Sequence, residues 1–400
     1  MEQSLALSIL KFLSLPASVT LLCGLWAGVA AAQPTVAAGC AQAALMDAES
    51  HAFLFEKDPD APASPASTAK IMTAEILFGL IKEGKITLDQ TFDISEHAWR
   101  TGGAPSRGSS MFASLNSQVR VEDLIRGLVI DSGNDAAIAI AEGIAGTEEA
   151  FGQLMTRRAR ELGLNHLTFT NPWGRSDPMQ KTNVREMALL ADHVIKTYPD
   201  LYKYFGEKEF SWNKITQLNR NPLLGMGIGA DGLKTGNIDE GGFAIVGSAL
   251  DDGQRLIVAL NGCKTASERA EDARKLLLWG FRSFDAKTLF LAGEAVGSVK
   301  VYGGAQGDVP VAAGQTVKIF LPRGATDKVS GKIVYDGPII PPVAKGTVLA
   351  RLKVMRGQAV ALDIPLRATE DVAVGSLPRR ALDASLEFAG QMVRKYVLRK

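Results

Sequence analysis

Short strand-like runs lie near residue 50 and near residue 250, and a long helical stretch separates them. This segregation limits the folds open to the chain. Residues 43–47 and 52–55 read as two strands joined by a turn at Ala48-Glu49-Ser50. Apolar positions then switch to helical spacing. Residues 67–83 carry Ile71, Ala74, Leu77 and Phe78 on one face, and 121–129, 135–144, 148–162 and 182–196 repeat the pattern, the last with Thr182 or Asn183 as its cap. Two apolar runs, 243–250 and 255–260, are split by Asp251-Asp252-Gly253, a hairpin sequence, and an amphipathic helix over 267–281 follows. The order predicts a chain of the α/β (α+β) class, an antiparallel sheet with a helical insert.

The ends of the chain differ from its middle. No charged residue lies between Lys11 and Asp47, and the apolar run 12–32 closes on Ala30-Ala31-Ala32. This reads as a secretory signal peptide cut before Gln33; the alternative is an uncleaved anchor. Past Phe284 the composition shifts. Residues 296–374 are short Val/Ile/Leu runs punctuated by Gly, Pro and Asp, which predicts a small all-β module. In 378–400, Leu382, Leu386, Ala389, Val393 and Tyr396 recur at helical spacing among Arg379, Arg380, Arg394, Lys395, Arg399 and Lys400. A basic amphipathic helix suits an anionic bilayer surface; docking on the β module is the other reading. The expected division is 1–32 leader, 33–284 main domain, 285–376 β-sandwich-like domain and 377–400 membrane-associating helix.

Lys+Arg 44 against Asp+Glu 43 leaves a net charge of +1, so no basic field draws in nucleic acid. The four histidines, His51, His97, His166 and His193, are scattered, and neither a metal site nor a cofactor is expected. Cys23 leaves with the leader. Cys40 and Cys263 remain, either as a pair in an oxidising compartment or as two buried thiols.

Three short motifs carry the chemistry. Ser67-Thr68-Ala69-Lys70 sits at a helix start, where residues three apart share a face and a lysine amine reaches a serine hydroxyl. Serine needs a base to become a nucleophile, and lysine serves only if its pKa falls through burial or a neighbouring cation. Ser132-Gly133-Asn134 reads as a turn presenting a hydroxyl and an amide. Lys234-Thr235-Gly236 opens a strand whose edge suits an extended peptide, its Lys and Thr meeting a carboxylate while Gly permits close approach. Each motif alone is weak. Together and in this order they form the signature of serine β-lactamases and penicillin-binding proteins, with S-G-N in place of S-D-N.

With these motifs the chain resembles the D-alanyl-D-alanine carboxypeptidases of the low-molecular-mass penicillin-binding proteins, peptidase family S11. Pro65-Ala66-Ser67-Thr68-Ala69-Lys70-Ile71-Met72-Thr73 is similar to that family's P-A-S-x-x-K-x-M-T block, Asp131-Ser132-Gly133-Asn134-Asp135-Ala136 to its S-G-N-D-A block, and Asn171-Pro172-Trp173-Gly174 to its N-P-H-G loop with Trp in place of His. Gln217-Leu218-Asn219-Arg220-Asn221 and Asp231-Gly232-Leu233-Lys234-Thr235-Gly236 complete the likeness.

The resemblance implies a β-lactamase/transpeptidase-like domain with helices on both faces of its sheet, and an exported enzyme at the periplasmic face of the inner membrane. It implies a peptidoglycan stem peptide ending in D-Ala-D-Ala as substrate and β-lactams as acylating inhibitors. Ser67 then attacks, Lys70 is the base, Ser132 relays a proton to the leaving amine and Asn134 orients Lys70 or the substrate amide. Lys234, Thr235 and Arg220 hold the terminal carboxylate beside Gly236, and the backbone N–H groups of Ser67 and Asn237 form an oxyanion hole. Where the family often has His-Thr after the third motif, this chain has Asn237-Ile238, which alters a contact to that carboxylate. The implied topology pairs the first strand with the last and so brings Cys40 to Cys263. The rival readings are a serine β-lactamase, for whose extra base Glu186 is the only nearby carboxylate although it reads as a helix-face residue, and a non-catalytic peptidoglycan-binding scaffold.

Overall fold

The computed structural model describes residues 2–3, 36–238, 242–325, 328–356 and 359–381. Two compact units divide the chain, with the boundary between Ser283 and Phe284. The expected leader, but for residues 2–3, and the terminal helix beyond residue 381 lie outside the described residues. Among the described residues no helix is long and apolar enough to cross a membrane.

The first unit is built on a five-stranded antiparallel sheet. Its strands are Gln42–Asp47 (β1), Phe53–Lys57 (β2), Ala230–Ile238 (β3), Gly242–Asp251 (β4) and Gln254–Cys263 (β5), in the order β2-β1-β5-β4-β3. The β4–β5 hairpin turns on Asp252 (φ 45°) and Gly253 (φ 78°), the two left-handed residues whose twist matches that of the flanking strands. β1 lies against β5 with Gln42 opposite Asn261 and Asp47 opposite Leu256. Just beyond that register Cys40 and Cys263 are joined by a disulfide and fully buried.

Successive residues of β1 feed opposite layers. Ala44 and Met46 pack with the central helices, while Ala43 and Leu45 pack with Leu276 and Leu277 of the last helix. Both faces are thus covered, which is why β1 and β5 read as near-continuous apolar runs rather than as alternation. The longer helices are Lys70–Lys82 (α1), Val121–Val129 (α2), Asn134–Ala145 (α3), Glu148–Glu161 (α4), Val184–Thr197 (α5) and Ala266–Ser283 (α6). Asn183, not Thr182, caps α5 by accepting the Glu186 amide at 2.7 Å. In α1 every residue from Lys70 to Phe78 is buried, and in α3 every residue from Asn134 to Ala141. A helix enclosed on all sides belongs to the centre of a unit, and both of these begin at a sequence motif.

The second unit is a module of strands. Val329–Val334, Val348–Arg356, Ala359–Ala368, Asp308–Ala313 and Ala295–Lys300 are successive neighbours in one sheet, with Glu2–Gln3 at its outer edge. Phe284–Phe290 pairs with Val317–Pro322. Val299, Val309, Val311, Val317 and Leu366 form the centre of its own apolar core.

Candidate active site

Pro65 and Ala66 (φ 48°) bend the chain sharply into α1. Ser67 lies in a 3-10 turn, Ala66–Ala69, and the α-helix proper begins only at Lys70. This corrects the expected α-helical start at 67. In a 3-10 turn residues i and i+3 eclipse each other, so Ser67 and Lys70 are brought over one another directly. Lys70 Nζ lies 3.0 Å from Ser67 Oγ, 2.7 Å from Asn134 Oδ1 and 3.1 Å from the Trp173 carbonyl oxygen. Lys70 has no exposed surface. Burial, and then the Lys234 charge, push its pKa well below the usual lysine range, with Asp135 opposing.

Ser132 adopts a left-handed conformation (φ 61°) between α2 and α3, and Asn134 is the first residue of α3. The Gly133 amide donates to Gly127 O at 2.8 Å and the Asn134 amide to Ser109 O at 2.8 Å. Asp135, next along α3, accepts from Ser110 Oγ (2.7 Å) and from the Met111 (2.9 Å) and Ala113 (3.2 Å) amides, fastening residues 110–113 over the helix start.

The third motif lies in the interior of β3 rather than at its opening, because the strand starts at Ala230. β3 is the edge of the sheet. A Cβ at Gly236 would meet the Ala66 Cβ at 2.8 Å and the Ser67 nitrogen at 3.2 Å, so only glycine lets the strand run this close to the serine turn. Lys234 is 1% exposed and donates to the Thr235 carbonyl at 3.2 Å. Burial first, then the charges of Arg220 and Arg269, bring its pKa down to about 7.

Ser67, Ser132, Arg220, Thr235, Gly236 and Asn237 line one open groove of about 330 Å³. Lys70, Asn134 and Lys234 are buried, the first two bonded to each other. All nine expected residues therefore belong to one neighbourhood. Arg220 is held by Gln217 Oε1 at 3.0 Å. The side chain of Ile238 lies outside the described residues.

Sequence reasoning missed several neighbours. Ser109, Phe243 and Arg269 also line the groove, and Arg269 sits over the Phe243 ring at 5.7 Å. No motif marks Arg269, which only the packing of α6 brings here. Asp131 is 1% exposed, with neither carboxyl oxygen bonded among the described residues. Burial lifts its pKa to about 7 against the opposing charges of Arg220 and Lys234. Glu186, the carboxylate considered as an extra base, is instead engaged by the His166 amide at 2.9 Å and by His166 Nδ1 at 2.5 Å.

A family model described as D-alanyl-D-alanine carboxypeptidase matches residues 27–265, and one described as penicillin-binding protein 5, C-terminal domain, matches 284–374. The chain is 37% identical over 311 residues to D-alanyl-D-alanine carboxypeptidase DacA of Haemophilus influenzae, covering 77% of this chain and 79% of that one. Its fold is similar to the crystal structure of penicillin binding protein 5 from Haemophilus influenzae, with a TM-score of 0.76 and 35% identity over 85% of this chain and 99% of the other. It is also similar to penicillin-binding protein D2 from Listeria monocytogenes, solved in an ampicillin-bound form, with a TM-score of 0.54 and 26% identity over 62% of this chain and 100% of that one.

Proposed function

The chain belongs to the family of serine-type D-alanyl-D-alanine carboxypeptidases, and from this premise we propose that Ser67 removes the terminal D-alanine of peptidoglycan stem peptides through an acyl-enzyme. The observation that carries the reading is the bonded chain Ser67–Lys70–Asn134 beside the edge strand that bears Lys234-Thr235-Gly236.

The steps follow from the geometry. The stem peptide lies extended along β3, its terminal carboxylate toward Thr235, Arg220 and the Lys234 charge behind them. Lys70, neutral because it is buried, takes the Ser67 proton as Oγ attacks the carbonyl carbon of the penultimate residue. Negative charge on the carbonyl oxygen is received by the backbone N–H groups of Ser67 and Asn237. The proton then passes through Ser132 to the departing amine, the C–N bond breaks, and D-alanine leaves an ester on Ser67. Lys70, neutral again, activates the water that hydrolyses it. A β-lactam enters by the same first step and keeps its leaving nitrogen tethered, a reading that the ampicillin-bound Listeria protein supports.

We assign the enzyme to the periplasm from the uncharged run before Asp47, and its hold on the inner-membrane surface to the basic residues of 378–400. In the same reading 1–32 is the leader, 33–284 the peptidase domain, 285–376 the β domain and 377–400 the membrane-associating helix.

Incubation with a labelled penicillin, read by intact mass, tests the proposal. A stoichiometric adduct forms on the wild type and none on Ser67→Ala. Release of D-alanine from a peptide ending in D-Ala-D-Ala excludes the scaffold, and slow release of the label excludes an efficient β-lactamase. A wild type without adduct ends the reading.

A further inference from the structure

We propose that Glu148 and the indole of Trp173 act together as a positioning clamp for Lys70. The inference rests on the reading of Ser67 and Lys70 given above.

A neutral lysine amine has two N–H bonds and one lone pair. To take a proton from Ser67 it must turn the lone pair toward Oγ, so both N–H bonds need acceptors elsewhere. Two acceptors stand there, Asn134 Oδ1 at 2.7 Å and the Trp173 carbonyl at 3.1 Å. Asn134 is fixed as the first residue of α3, which is buried from Asn134 to Ala141. The Trp173 carbonyl belongs to a loop, and a loop carbonyl holds its place only if the loop is pinned.

It is pinned from both sides. On the backbone, Asn171 Oδ1 accepts the amides of Trp173 (3.3 Å), Gly174 (2.8 Å) and Arg175 (2.9 Å). Gly174 (φ 88°) is pressed so close to the serine turn that a Cβ there would lie 1.8 Å from the Ala66 carbonyl oxygen. On the side chain, Trp173 Nε1 donates to Glu148 Oε2 at 2.8 Å, and the other oxygen of the same carboxyl pairs with His97 Nε2 at 2.8 Å. Glu148 is 4% exposed and opens α4, where the helix dipole favours a carboxylate. Both of its oxygens are committed, so it offers the indole one fixed acceptor. Neither Glu148 nor the indole touches the groove; they act through the one carbonyl that Lys70 needs.

Loosening the clamp lets the amine rotate an N–H toward Ser67 without disturbing the carboxylate subsite. Trp173→Phe keeps the ring and removes the donor; Glu148→Ala removes the acceptor. Each slows acylation by labelled penicillin about 10- to 100-fold, the scale expected when a reacting group is misplaced by up to about 1 Å, with initial binding affinity unchanged. Glu148→Gln, whose carbonyl oxygen still accepts from the indole, retains most of the rate. The double variant Trp173→Phe/Glu148→Ala is no slower than the slower single variant.

Full-stoichiometry adducts at long times and unchanged circular dichroism certify folding. If both single variants acylate at the wild-type rate, or lose only binding affinity, or if their losses multiply in the double variant, the clamp is overturned. The wild-type adduct and its absence in Ser67→Ala test the underlying reading separately.

Discussion

Gly236 passes the Ser67 turn at a distance that leaves no room for a methyl group. A Cβ at Gly236 would stand 2.8 Å from the Ala66 Cβ and 3.0 Å from the Pro65 carbonyl oxygen. The edge strand β3 and the turn that holds Ser67 are thus in close backbone contact, which sets the width of the groove between them.

Gly236→Ala forces β3 and the serine turn apart. The expected cost is about 1–3 kcal/mol of stability through overpacking and a loss of about 10-fold or more in acylation rate. Thermal unfolding alongside penicillin acylation kinetics checks both. A variant with normal kinetics removes close approach as the reason for glycine at this position.

Activity has a bell-shaped dependence on pH, with its limbs assigned to two lysines. In the proposed mechanism Lys70 acts neutral and Lys234 charged, so the acid limb follows the lowered pKa of Lys70. Lys234 acts charged, and in the free enzyme it loses that charge above about 7. The value of kcat/KM for D-alanine release therefore falls about tenfold per pH unit on the alkaline side. The limb in kcat lies at higher pH, because a bound carboxylate holds the proton on Lys234. In Lys234→Arg the guanidinium stays charged, and the alkaline limb moves beyond the lysine range while the acid limb stays. Profiles from pH 5 to 10 decide the assignment.

Asp131 makes stability depend on pH in a predictable direction. Its folded pKa is raised from 3.8 to about 7 by burial. The fold therefore opposes its ionisation, and the stability it contributes below pH 4 is lost as pH rises through 7. Asp131→Asn has no such loss. Its melting temperature equals that of the wild type near pH 4 and exceeds it at pH 8, by an amount equivalent to about 1–2 kcal/mol once the shift is discounted for solvent screening. Calorimetric scans at the two pH values measure the difference; a smaller gap at pH 8 than at pH 4 rejects the assignment.

The Cys40–Cys263 bridge closes a loop across a sequence separation of 223. Its removal costs about 5 kcal/mol in the chain-entropy picture. Cys263→Ser, or the reduced protein, melts at a correspondingly lower temperature, with acylation at 25 °C unchanged. Thiol titration of the unfolded, unreduced chain without residues 1–32 finds no reactive group; two reactive groups contradict the bridge.

Much of this was legible in the residues themselves. Helix spacing placed α1 to α6 within a few residues because their apolar faces are long and regular, and Asp252-Gly253 announced its hairpin because few residues accept two left-handed positions in a row. The motifs named Ser67, Lys70, Ser132, Asn134 and Lys234, since each needs its neighbour at a fixed short spacing. The rest depends on contacts between distant segments. Arg269 reaches the groove only because α6 packs on β4 and β5. Glu148 reads as an ordinary acidic residue in the first turn of a helix, and its bond to Trp173 appears only once α4 and the 171–175 loop are folded together. The 3-10 turn at Ser67 reads as plain helix in the sequence because four residues, Ala66–Ala69, are too few to distinguish a period of 3.0 from one of 3.6.

The pairing of β1 with β5 also governs when the first unit can assemble. β1 emerges almost first and must wait for Leu256 to Asn261 before its inner edge has a partner. Contacts so far apart in sequence form late and slowly. Until they do, the apolar faces of β1 are uncovered and Cys40 stands as a lone thiol. The bridge joins the same two strands just past their last register pair, Gln42 with Asn261, so a chain whose Cys40 were oxidised early onto a thiol of another molecule would leave β1 and β5 unlocked and the groove beside them unformed.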